Sequence, residues 1–143
     1  MNVILEGSEQ VAWHTDMAAT IAAMGVTPQS FDWYVSDVET NVSMTPLSRG
    51  DTWISGDELA ALLCANPQFI WGVFSAFPIG VRVAVDRPPF AEGNSSFWQQ
   101  PGPFPQLPGA CFEVVCWDSS ATILVGVTEE QAASFSRAYS DAK

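Results

Sequence analysis

The sequence predicts an α+β fold: a single domain over 1–143 with a mixed or mostly antiparallel sheet and about three helices packed on it. Three observations predict it. Residues 111–128, CFEVVCWDSSATILVGVT, read as two strands joined by a tight polar turn and feeding a helix. Two capping-box patterns, Ser55-Gly56-Asp57-Glu58 and Thr128-Glu129-Glu130-Gln131, mark helix starts. Short β-prone runs also alternate with helical patterns along 143 residues, of which 48% are apolar and 12% aromatic, enough to build one core.

Taken in order, residues 2–6 alternate and predict a short first strand ending at Gly7. Ser8 is placed to cap a helix over 9–24, where Val11, Met17, Ala18, Ile21, Ala22 and Met24 recur at helical spacing and Gly25 supplies a stop. After Thr27-Pro28, residues 31–37 alternate as a strand, with Phe31, Trp33 and Val35 on one face and Asp32, Tyr34 and Ser36 on the other. Residues 39–51 are polar, contain Pro46 and Gly50 and keep no period, so they read as a loop. The helix opened at Ser55 carries Leu59, Leu62 and Leu63 at i, i+3 and i+4, and Asn66-Pro67 ends it. Residues 69–77 and 81–86 are β-prone and flank Pro78-Ile79-Gly80, which predicts a hairpin with Val81, Val83 and Val85 on one face.

Residues 87–108 hold six of the ten prolines together with Phe90, Phe97, Trp98 and Phe104. A loop this long is uncommon in a small domain. Its aromatics argue against disorder and predict an ordered cover over an open sheet face, with a binding lid as the alternative. In the strand that follows, Phe112, Val114 and Cys116 oppose Cys111, Glu113, Val115 and Trp117. Asp118-Ser119-Ser120 makes the turn, 121–127 returns as an apolar run suited to a central strand, and a helix over 129–139 closes the chain. No repeat or linker divides it.

The charge is lopsided: 16 acidic residues against 5 basic ones give a formal net charge of −11 and a pI near 4.1. Nucleic acid and anionic membranes are poor partners for such a chain, because phosphate binding needs Lys and Arg. A basic protein is the partner this charge favours. No basic and hydrophobic leader opens the sequence and no apolar run approaches about 18 residues, so neither a signal peptide nor a membrane span is expected, and the cytoplasm is the default location.

Catalytic and metal chemistry find no footing. Cys64, Cys111 and Cys116 share no CxxC spacing and have one histidine for company, which argues against zinc. On a strand Cys111 and Cys116 face opposite ways with Cα atoms roughly 16 Å apart, beyond disulfide reach, so all three cysteines read as buried structural thiols. His14 and Asp16, two apart on the expected first helix, share no face and make a poor base and orienter. No phosphate loop, nucleophile elbow or EF-hand spacing occurs, Pro105-Gln106-Leu107-Pro108 lacks the basic neighbour of a PxxP ligand, and no cofactor is implied.

One constellation remains. Asp32, Tyr34, Asp37, Glu39, Asp51 and Trp53, with Asp57 beside them, cluster around the second strand, and Arg49 is the local countercharge. Exposed carboxylates that steer and aromatics that anchor are what captures a basic protein. The plainer reading is a solvated acidic face with Trp53 in the core. A different class of function puts a small-molecule pocket, binding or enzymatic, between the sheet and residues 87–108, lined by Phe97, Trp98 and Phe104, with Arg82 or Arg87 on an anionic ligand. A homo-oligomer, with oligomeric state unassigned, is the third.

The segments FEVVCWDSSATILV and TEEQAASFSRAY, and to a lesser degree DWYVSDVE, resemble small uncharacterised bacterial proteins, some of them regarded as immunity proteins of toxin systems. The resemblance covers about a third of the chain, mainly residues 111–139, and carries no catalytic residues. It implies a non-enzymatic protein that masks a basic toxin.

Overall fold

The computed structural model describes residues 1–41, 47 and 50–143. Its strands are β1 (Val3–Glu6), β2 (Phe31–Thr40), β3 (Thr52–Ser55), β4 (Phe69–Pro78), β5 (Phe112–Trp117) and β6 (Ala121–Val125). Its helices are α1 (Met17–Ala23), α2 (Gly56–Leu63) and α3 (Glu129–Ala138). The strands form one sheet in the order β1-β6-β5-β4-β2-β3, and every neighbouring pair is antiparallel. The fold is therefore α+β as expected, with the sheet wholly antiparallel.

Period-two alternation divides the core into two layers. Trp33 and Val35 of β2, Phe74 and Ala76 of β4, and Phe112, Val114 and Cys116 of β5 face the helices, meeting Met17 and Ile21 of α1, Leu59 and Leu63 of α2 and Phe135 of α3. Val73, Val115, Ile123 and Val125 face the other way and pack on Ala91 and Phe97, while Tyr34 and Phe77 pack on Leu107. Residues 87–108 thus lie as a cover over the sheet face that carries no helix. Part of the cover is regular: Asn94 Oδ1 accepts from Ser96 N at 3.1 Å and caps a 3-10 turn, Ser95–Trp98.

Local signals placed two of the helices. Ser55 and Glu58 form the full capping box of α2, and Thr128 and Gln131 that of α3. The hairpin turn between β5 and β6 has positive φ at Asp118 and Ser119, and Ser120 N donates to Trp117 O at 2.8 Å. Ser119 N also donates to Ile70 O, which ties the turn to β4.

Three expectations need correction. The first helix is not 9–24 but only Met17–Ala23, capped by Asp16, whose carboxylate accepts from Ala19 N at 3.0 Å. Thr15 prevents a longer one. Its φ is +64, its N–H donates to Thr122 Oγ1 on β6, and its hydroxyl donates to Phe69 O, so tertiary bonds outweigh helical periodicity. Ser8 accordingly caps nothing and donates to Asp141 Oδ2 at 2.7 Å, and His14 lies ahead of the helix, its Nε2 accepting from Ser8 N.

Residues 81–86 form no strand. β4 has β2 on one side and β5 on the other, so neither of its edges is open to a hairpin partner. Val83 and Val85 instead pack against Tyr34 and Phe77. Finally, of the three free thiols only Cys116 is buried; Cys64 follows the last inward residue of α2, Leu63, and Cys111 precedes β5, which leaves both exposed.

Candidate partner-binding surface

β2 positions most of the acidic and aromatic residues singled out by the sequence. Its helix-facing residues are locked in the core, so Asp32, Tyr34 and Ser36 are driven onto the covered face, and there the structure departs from an exposed acidic strand. Asp32 is only 8% exposed: its Oδ2 accepts from Gly80 N at 3.1 Å and from Arg82 Nε at 3.3 Å. Tyr34 is 7% exposed and stacks edge-on against Trp53, which in turn meets Phe77 and carries the Arg82 guanidinium 5.8 Å from its ring centroid. Burial, and secondarily the charge of Asp51, push the Tyr34 hydroxyl above its usual range. Asp32, Tyr34, Trp53 and Arg82 therefore form one closed group, whose carboxylate is already paired and whose aromatics are already packed.

Asp37, Glu39 and Asp51 gather separately at the far end of β2. The pairing with β4 shifts register between Ser36 and Glu39, and Asp37 has φ +53, so its side chain leaves the ladder. Asp37 N donates to Asp51 Oδ1 at 3.0 Å. Asp37 Oδ2 accepts from Ala91 N at 2.8 Å and Glu92 N at 2.9 Å. Those two bonds bring Glu92 of the cover to the same place, a residue that no sequence signal had joined to β2. Glu39, Asp51 and Glu92 are exposed. Among the described residues the ion pairs are Arg82 with Asp32 and Lys143 with Glu6, so no described cation neutralises this end. Arg49, its expected countercharge, lies outside the described residues.

The residues of the alternative pocket divide. Phe97, Trp98 and Phe104 do line a cleft, of about 530 Å³, but its opposite wall is Met1, Ile4 and Glu6 at the β1 edge. Phe97 and Trp98 are seated on Trp117, whereas Phe104 is 89% exposed. Arg82 and Arg87 do not reach the cleft; Arg82 is on Asp32 and Arg87 is exposed.

A buried carboxylate on β5 was missed. Glu113 is fully buried, opposite Ser75 of β4 and Val125 of β6. Its Oε1 accepts from Ser75 Oγ and Leu107 N, each at 3.1 Å, while Oε2 has no partner. Burial pushes this carboxyl above the usual range, and the N–H groups of Gln106 and Leu107 and the Ser75 hydroxyl offset only part of that. Burial alone raises the Cys116 thiol far above its usual value, which leaves it inert.

Among the described residues no group of three or more His, Cys, Asp or Glu side chains is arranged to hold a metal ion, and no helix is long and apolar enough to cross a membrane. No family model, no curated protein and no solved structure matches the chain.

Proposed function

We propose that the chain is a non-enzymatic, cytoplasmic binding protein that captures a basic partner protein, in the manner of an immunity or inhibitor protein. The observation that carries this reading is the acidic end of β2, where Glu39, Asp51 and Glu92 stand exposed around Asp37 without a described counter-ion. The net charge of −11 adds a long-range field that accelerates encounter with a cationic surface. The sheet is filled on both faces and none of the described arginines is buried to meet an anionic ligand, which supports a binding protein over a pocket enzyme. Asp32, Tyr34 and Trp53 belong to this reading as scaffold, because their polar and aromatic groups are already satisfied within the fold.

The test is a tagged pull-down from cells of the source at low and high salt, comparing wild type with Glu39→Lys/Glu92→Lys. Neither side chain supports the described fold through a hydrogen bond, and the change lowers the net negative charge, so the variant should melt no lower than the wild type. The wild type should retain a basic protein at low salt and release it at high salt, since salt screens exposed charge. Retention by both proteins alike, or at both salt concentrations alike, contradicts the reading.

A second reading is favoured by the cleft at β1. Trp98 is 39% exposed beside the almost bare Phe104, and a cleft of about 530 Å³ is in the size range of small-molecule sites. Small-molecule binding there should raise the melting temperature of the wild type and not of Trp98→Ala; no shift across a diverse ligand set speaks against it.

A further inference from the structure

We infer that residues 87–108 are a pH-sensitive cover held on the sheet by the uncharged form of Glu113, so that the cover loosens as this carboxyl ionises. The geometry carries the inference. Glu113 stands in a cross-strand row that runs Trp53, Tyr34, Ser75, Glu113, Val125 beneath the cover. Through one oxygen it joins β4 to the cover, taking the Ser75 hydroxyl from one side and Leu107 N from the other. Its second oxygen is buried with no donor. A carboxylate there would hold unpaired charge out of water, whereas a carboxylic acid leaves only a neutral O–H without a partner, a far smaller penalty.

Among the described residues no cation relieves the charge. Arg82 is on Asp32, Arg87 is exposed, Arg137 is on α3 and Lys143 is beside Glu6. The faces around Glu113 are Ser75 of β4, Val125 of β6 and the backbone of Gln106 and Leu107 from the cover. On its own strand Val115 follows on the same side and the exposed Cys111 precedes it. The next titratable side chain along the row is Tyr34, beyond Ser75. The cover's other carboxylate clasp, Asp37, holds Ala91 and Glu92 at the opposite end of the segment.

The sign follows from linkage. With the cover closed, burial raises the carboxyl; with the cover open, water reaches Glu113 and it returns to the ordinary glutamate range. The closed form thus binds the proton more tightly. Opening is pH-independent below the ordinary value, becomes about tenfold easier per pH unit between the two values, and levels off above the closed-state value. Because Glu92 rides on the cover, opening also removes one carboxylate from the acidic end of β2. The inference itself rests on the cover and not on the partner-binding reading, and its test involves no partner.

Hydrogen exchange of the Ala91, Glu92 and Leu107 amides, corrected for intrinsic rates, reads the opening directly in the full chain. In the wild type their protection should fall about tenfold per pH unit over that window while the α2 amides keep theirs, and in Glu113→Gln it should be flat. Equal pH dependence in both proteins, or none in the wild type, overturns the inference. If Glu113→Gln does not fold, carbon-13 titration of the Glu113 carboxyl in the wild type decides: a midpoint above the ordinary value together with falling Leu107 protection supports the latch, and a midpoint at or below it refutes the latch.

Discussion

Asp37 shows how one residue serves two ends. Its left-handed backbone, φ +53, is a conformation in which Asp is tolerated and most residues are strained, and that conformation points its carboxylate at Ala91 N and Glu92 N. Hydrogen bonds to a charged acceptor are the stronger kind. Asp37→Ala removes the acceptor and leaves both amides to find water, so it should lower unfolding stability by about 2 kcal/mol, read by urea denaturation. Asp37→Asn keeps an acceptor oxygen and tolerates the backbone, and should recover more than half of that loss. Glu39, two residues on, makes no such bond, so the same measurement on Glu39→Ala should find a change within about 0.5 kcal/mol. The contrast separates carboxylates that hold the cover from carboxylates that are free to meet a partner.

Among the elements, the cover depends on how its few apolar residues are seated. Phe97 is buried against Val115, Ile123 and Trp117, so Phe97→Ala should destabilise the protein by about 3 kcal/mol. Phe104→Ala, with its ring in solvent, should change stability little. Thermal unfolding of the two variants tests that difference. The sequence made α2 and α3 legible because capping boxes are local chemistry, complete within four residues. It made the β5–β6 hairpin legible because its alternation and turn residues agree. The false first half of α1 and the false strand at 81–86 have a common cause, since both were decided by distant chain. Thr15 is bonded to β4 and β6, and β4 was already enclosed by β2 and β5. The candidate site divides along the same line. Asp37, Glu39 and Asp51 were close enough in sequence to be grouped, whereas Glu92 and the Glu113–Leu107 clasp exist only after the cover has docked.

For the molecule as a whole, charge opposes compactness. A net charge of −11 on 143 residues, with two described ion pairs, is self-repulsive, and added salt weakens that repulsion. The melting temperature should therefore rise as ionic strength increases from about 10 mM to about 200 mM, where a protein dependent on surface ion pairs would lose stability. Such a charge comes at a cost to the fold, which under the proposed function a basic partner would offset by neutralising the acidic end of β2.

The affinity of the captured basic partner for wild type and for Glu39→Lys/Glu92→Lys, measured by titration calorimetry at low salt, tests the central claim most directly. The variant, folded and at least as stable, should bind at least about tenfold more weakly, with most of the difference gone at high salt. Equal affinity in the two proteins would contradict the claim and move the binding surface away from β2.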